Sequence, residues 1–283
     1  MKIIECPRDA MQGIDEFIPT QKKVDYINQL LRVGFDTIDF GSFVSPKAIP
    51  QMRDTAEVLS KLDLSLTTSK LLAIVANTRG AQEASVFKEI TYIGFPLSIS
   101  ETFQQRNTNK TIAEALNTLD EIQEICKRSN KILVTYISMG FGNPYGDPYD
   151  HEIVSKFVSI LNTLEIKIIS LADTVGVSKP LQIQQLFTSL IKEYPALEFG
   201  AHLHSNPVKA VEKIEAAYLS GCQRFDGALM GYGGCPMAEE ELVGNLATET
   251  IISFLDQKGS SLHLDRDELA KAMRLAHATF PNH

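Results

Sequence analysis

The chain has 283 residues, 44% of them hydrophobic and 22% charged, with 27 basic against 35 acidic side chains and a net charge of -8. That balance argues against a general nucleic-acid binder, and no apolar run approaches membrane-spanning length. Four cysteines in a chain this long do not make a disulfide framework, so a reducing cytoplasm is the expected compartment.

Short β-rich runs alternate with longer amphipathic stretches. The strand candidates are Ile3–Cys6, Thr37–Phe40, Leu64–Thr68, Glu89–Phe95, Ile132–Ile137, Lys167–Leu171, Glu198–His202 and Arg224–Asp226. The helical stretches between them include Thr20–Val33, Ile49–Lys61, Thr111–Ser129, His151–Leu164, Leu181–Tyr194 and Pro207–Ser220. In Thr20–Val33 the apolar residues Val24, Ile27, Leu30 and Leu31 recur at helical spacing, and Thr111 with Glu114 reads as a capping box. Eight such units predict parallel strands joined by right-handed crossovers. A doubly wound open sheet is the rival, but no Gly-x-Gly-x-x-Gly turn follows the first strand. The pattern therefore predicts a (β/α)8 TIM barrel, one catalytic domain over residues 1–283, with a final helix around Asp265–Thr279 appended.

Barrels of this kind carry their chemistry at the C-terminal ends of the strands. The first strand runs into Arg8-Asp9, a solvated pair or, at a barrel mouth, an oxygen ligand beside a fixed cation. Asp39 ends the second strand and leads to Ser42, which is either a substrate donor or a turn former. Asp173 and Thr174 follow the sixth strand, where they cap the next turn or face the site. In Phe199–His204 the two histidines alternate with Leu203, so His202 and His204 share one face. Cys235 stands in the glycine-rich run Gly231–Cys235, a setting that suits acid–base or nucleophilic work more than core packing. Cys6, Cys126 and Cys222 read as core or helix-face residues without chemistry. Asp9, His202, His204 and Asn245 together make a mixed nitrogen and oxygen set that suits Mg²⁺, Mn²⁺ or Zn²⁺ as a Lewis acid, the oxygen donors favouring the first two.

Several motifs, in order, resemble the hydroxymethylglutaryl-CoA lyases of the metal-dependent lyase and Claisen-condensation superfamily. They are Pro7–Gln12, Ser42–Lys47 with Pro50–Met52, Ser170–Gly176, His202–His204, Gly233–Pro236 and Gly244–Glu249. The resemblance implies a TIM barrel that cleaves 3-hydroxy-3-methylglutaryl-CoA to acetyl-CoA and acetoacetate, the chemistry of leucine degradation and ketone-body formation. It implies metal ligation by Asp9, His202, His204 and Asn245, and Arg8 beside the reacting carbonyl. Cys235 would match the reactive loop cysteine; Asp173 or a ligand histidine such as His202 would be the base. Asp39 joins the catalytic set, and Gln12, Ser42, Ser170 and Thr174 the substrate-facing one. Asp39 stands where the family usually has Glu, a shorter arm that needs water or a shifted backbone. The expected partner is a small CoA thioester, with no nucleic acid and no membrane, and a homodimer is compatible with the barrel. A related synthase or aldolase acting on acetyl-CoA and 2-oxo acids, or a metal-binding barrel without catalysis, are the competing readings.

Overall fold

The computed structural model describes residues 1–234 and 243–280. Its strands are β1 (Lys2–Glu5), β2 (Thr37–Ser42), β3 (Lys70–Ile74), β4 (Ile90–Ser98), β5 (Ile132–Ser138), β6 (Ile168–Asp173), β7 (Glu198–Leu203) and β8 (Arg224–Gly227). Each pairs in parallel with the next, and β8 pairs with β1 to close the barrel. The helices are α1 (Pro7–Gln12), α2 (Thr20–Val33), α3 (Thr55–Ser60), α4 (Thr78–Ser85), α5 (Glu101–Thr108), α6 (Ile112–Ser129), α7 (His151–Thr163), α8 (Pro180–Glu193), α9 (Pro207–Leu219), α10 (Thr248–Gln257) and α11 (Arg266–Thr279). No helix among the described residues is long and apolar enough to cross a membrane.

The predicted helix over Thr20–Val33 forms as expected, and the capping box is present. The Glu114 amide donates to Thr111 Oγ1 at 3.1 Å, and the Thr111 amide donates to Glu114 Oε2 at 2.8 Å. The appended helix is α11, which lies on α2: Gln29 Nε2 donates to Glu268 Oε2 at 2.7 Å, and Phe280 meets Tyr26 edge-on at 5.4 Å.

Two expectations need correction. The third strand is Lys70–Ile74, not Leu64–Thr68, where Leu66 is 96% exposed. A barrel strand is covered on both faces and reads as an unbroken apolar run such as Leu71–Ile74, without polar alternation. The stretch Ile49–Lys61 is not one helix but a 3-10 turn, Pro50–Met52, followed by α3. Asp54 stands at the break, its carboxylate taken by Lys23 at 2.7 Å and Thr20 at 2.8 Å.

Strand alternation sorts the core into two layers. One set of side chains, including Ile38, Phe40, Leu71, Ala73, Ile93 and Phe95, packs outward under the helices. A separate cluster inside the barrel holds Leu72, Ile74, Tyr92, Val134, Tyr136 and Ile168. The opposite wall of the interior is polar, and the site stands on it.

Candidate active site

Pro7 opens α1 directly after β1, so the helix starts at the barrel mouth; a fixed φ and a missing N–H are at home in a helix's first turn. Arg8, Asp9 and Gln12 then fall on one face at helical spacing. Gln12 Nε2 donates to Asp9 Oδ1 at 2.8 Å, and Arg8 Nη1 donates to Asp9 Oδ1 at 2.8 Å and to Gln12 Oε1 at 2.9 Å. Arg8 Nε and Nη2 both grip Asp39 Oδ2, at 3.0 and 2.5 Å. A guanidinium has five N–H groups, so these four bonds leave one, on Nη2, for another acceptor.

Asp39 reaches Arg8 without an intervening group. The pairing of β2 with β3 slips between Asp39 and Gly41, and such a bulge re-aims the side chains beside it. The Asp39 carboxylate is fully buried, and its Oδ1 has no hydrogen-bond partner among the described residues. Burial pushes its carboxyl up to about 6, against the pull of Arg8.

His202 and His204 stand at the end of β7, their rings 5.4 Å apart. His202 Nδ1 lies 3.2 Å from Asp226 Oδ2 on β8, and Ser170 Oγ donates to the same oxygen at 3.4 Å. Burial drives His204 down to about 4, helped by the neighbouring imidazole, so the ring is neutral near pH 7. Burial also pulls His202 down, but Asp226 and Asp9 outweigh it and the ring titrates above its ordinary value. For Asp9 burial opposes ionisation, yet Arg8 and both histidines prevail and hold the carboxyl below its ordinary value.

The segment around Asn245 closes the set. It inserts beside the ends of β7 and β8: His204 bridges Asn245, and the Ala228 amide donates to Leu246 O at 3.0 Å. Asn245 Nδ2 thereby reaches Asp9 Oδ2 at 2.7 Å and Tyr232 O at 3.0 Å. Gly233 is needed here, because its φ is +92° and a Cβ would stand 2.8 Å from Asn245 Nδ2.

Asp9, His202 and His204 each offer a donor atom within 4.8 Å of the others. The ionised Asp9 carboxylate and the neutral His204 imidazole are forms a divalent ion requires, and His202 would give up its ring proton to join them, so the donor types fit such an ion. Asn245 points its amide nitrogen at Asp9, and its oxygen joins the set once the amide turns over.

Of the other expected site residues, Asp173, Thr174 and Ser42 stand apart from this cluster. Asp173 is saturated by the Val177 and Ser178 amides, the Ser178 hydroxyl and Lys213 Nζ at 2.8 Å. Lys213, fully buried, also donates to His204 O and Gly176 O, so the pair ties the β6 and β7 ends together. Ser170 lies one layer below His202. Thr174 Oγ1 accepts the Met139 amide at 3.0 Å, and Ser42 Oγ accepts the Val44 amide at 3.3 Å. Cys235 lies outside the described residues.

Sequence reasoning passed over Asp226, although a carboxylate closing a predicted strand is the same signal that singled out Asp39. It also passed over Cys6, whose sulfur shares a 4.8 Å cluster with His202 and Asp226. Burial and three carboxylates, Asp226, Asp39 and Asp9, keep that thiol protonated well above the usual range. Arg224 is fully buried below Asp226, with Nε 3.9 Å from Asp226 Oδ1 and Nη1 donating to Glu198 at 3.2 Å. Gly200 makes room for it, since a Cβ there would meet Arg224 Cδ at 3.0 Å.

A closed parallel barrel with carboxylate, imidazole and guanidinium gathered at the C-terminal mouth defines a class of barrel enzymes able to work with a divalent ion. Residues 2–276 match the sequence profile of one family, HMGL-like, and the chain belongs to it. It is 32% identical to the hydroxymethylglutaryl-CoA lyase YngG of Bacillus subtilis, over 95% of this chain and 89% of that protein. The cytoplasmic 3-hydroxy-3-methylglutaryl-CoA lyase of Rattus norvegicus is also 32% identical, over 96% of this chain and 79% of that one. Among solved structures, the Bacillus subtilis HMG-CoA lyase superposes with a TM-score of 0.92 at 32% identity, covering 99% of this chain and 93% of that one. An HMG-CoA lyase from Acinetobacter baumannii, in complex with coenzyme A and 3-methylmalate, gives 0.91 at 31% identity, covering 99% and 91%.

Proposed function

We propose that the chain is a carbon–carbon lyase that cleaves 3-hydroxy-3-methylglutaryl-CoA to acetyl-CoA and acetoacetate. The observation that carries the reading is the meeting of Arg8, Asp39, Asp9, His202 and His204 at one end of the barrel. The lyase relatives, aligned over nearly the whole chain, supply the substrate class. Asp9, His202 and His204, with Asn245 as a further donor, would hold a divalent ion, Mg²⁺ or Mn²⁺ by their oxygen content. Such an ion, when bound, makes the substrate's hydroxyl more acidic.

The chain's own residues divide the remaining work. Asp39 Oδ1 takes the tertiary hydroxyl proton, which a carboxyl near 6 accepts at neutral pH. The O–H electron pair becomes the new ketone bond, and the carbon–carbon bond breaks toward the thioester as an enolate. The remaining Arg8 N–H faces the charge that grows on the thioester oxygen, with the guanidinium fixed beforehand by Asp9, Asp39 and Gln12. Cys235 returns a proton to the enolate carbon to give acetyl-CoA. Asp173 is a positioning residue: with both oxygens occupied it acts through Lys213 on the strand that carries the histidines. The test is release of acetoacetate by metal-stripped protein with and without added Mg²⁺ or Mn²⁺. Metal-dependent release is expected; none from protein shown to bind metal overturns the substrate assignment.

A further inference from the structure

The barrel holds a second donor set just below the first, and it differs in hardness. Cys6 Sγ, His202 and Asp226 each place a donor atom within 4.8 Å of the other two. Cys6 directly follows β1, Asp226 lies on β8, and the two strands pair side by side, with Asp226 opposite Ile4 and Gly227 opposite Glu5. The thiol's one hydrogen bond among the described residues is a weak one, to Ile4 O at 3.7 Å. A second, independent feature points to a ligand. Asp226 is 1% exposed, and its Oδ1 has no hydrogen-bond partner among the described residues, Arg224 Nε standing 3.9 Å away, beyond hydrogen-bond reach. Tyr136 Oη, on a ring packed edge-on against His202 at 5.5 Å, is likewise buried without one.

Sulfur, imidazole nitrogen and carboxylate oxygen are donors for Zn²⁺ and its thiophilic neighbours, whereas Asp9 with two histidines suits a harder ion. His202 belongs to both sets. A neutral imidazole has one free lone pair, so it serves one ion at a time. We propose that Cys6, His202 and Asp226 form a thiophilic cation site that competes with the Asp9–His202–His204 set, so that Zn²⁺ or Cd²⁺ bound there displaces the working ion. Binding converts the Cys6 thiol to a thiolate with release of one proton to solvent, and draws His202 away from the mouth set. The inference rests on the proposed lyase reading only for the identity of the ion displaced.

Cd²⁺ is the probe, because a cadmium–thiolate bond gives an ultraviolet charge-transfer band. The metal-stripped full chain is titrated with Cd²⁺ as wild type, Cys6→Ser and Cys235→Ser, and bound Mn²⁺ is followed separately by its electron-spin resonance. The band is expected in wild type and Cys235→Ser and is lost in Cys6→Ser, which still binds Mn²⁺ and so is folded. Cd²⁺ releases Mn²⁺ from wild type, and Cys6→Ser needs on the order of 10- to 100-fold more Cd²⁺ for the same release. A band that survives Cys6→Ser overturns the site; Cd²⁺ bound through Cys6 with Mn²⁺ still in place overturns the competition. Failure of Mn²⁺ to bind wild type at all would instead count against the Asp9–His202–His204 reading and overturn the competition, while the cadmium band still decides the thiolate site.

Discussion

The two walls of the barrel interior are built from opposite materials. On the β3–β6 side Leu72, Ile74, Val134 and Ile168 fill the space with hydrocarbon. On the β1, β2, β7 and β8 side Cys6, Asp39, His202, Arg224 and Asp226 face inward, with Arg8 closing the mouth. The contrast teaches how a rigid site is made: an apolar wall excludes water and lowers the local dielectric, and every charge on the other wall then acts more strongly. It also explains why the charges come as a chain, Lys2 to Glu198 to Arg224 to Asp226 to His202, from the N-terminal end of the strands to the C-terminal mouth. A buried charge without a partner is costly, and the buried Arg224 and Asp226 each stand beside an opposite charge.

Substitutions on the polar wall should cost activity before they cost stability. Asp39→Asn keeps the shape but cannot take a proton, and turnover per folded molecule should fall by about 10²–10⁴-fold, with Asp9 still paired to Arg8. Arg8→Gln removes the fixed cation, and kcat should fall by about 10²–10³-fold, seen in steady-state assays of acetoacetate release. Asp226→Asn leaves His202 in place without its carboxylate, and Mn²⁺ affinity should weaken by about 10- to 100-fold in a binding titration. On the apolar wall the order reverses. Leu72→Ala should destabilise the fold by about 2–5 kcal/mol in denaturant unfolding, with kcat per folded molecule nearly unchanged.

One buried carboxyl lies outside both walls. Glu5 accepts the Leu229 amide at 2.9 Å and the Thr248 hydroxyl at 2.6 Å, and so fastens β1 to the start of α10. Burial lifts it from 4.5 to about 8, so the folded chain keeps a proton that the unfolded chain releases. Its contribution to stability is therefore full below about 4.5 and is lost as pH rises through about 8. Glu5→Gln should remove that dependence: melting temperatures recorded from pH 5 to pH 9 should decline less in the variant than in wild type.

Much of the barrel was legible because its signals are local. Alternation put His202 and His204 on one face, helical spacing found α2, and Thr111 with Glu114 announced α6. The third strand was missed because a strand covered on both faces does not alternate, and Leu64–Thr68 alternates better than Leu71–Ile74. In the site, Asp9 and Asn245 lie 236 positions apart and meet only because the barrel closes and the segment around Asn245 wedges beside β7. For Asp173 the sequence left a cap and a site role both open. The Val177 and Ser178 groups it accepts from are local, as a cap requires, whereas Lys213, which completes its set of partners, lies 40 residues on and leaves no local signal. Cys6 looked like core, as it is by burial; the register of β1 against β8 is what sets it beside Asp226 and His202.

The central claim is that the polar wall performs the cleavage, with Asp39 as its base. The most direct test is the pH dependence of kcat/KM for 3-hydroxy-3-methylglutaryl-CoA, compared between wild type and Asp39→Asn at saturating Mn²⁺. Wild type should gain activity as pH rises through about 6, where Asp39 loses its proton, and the variant should be slow with that rising limb gone. A rising limb that survives unchanged in Asp39→Asn would contradict the claim and place the base elsewhere.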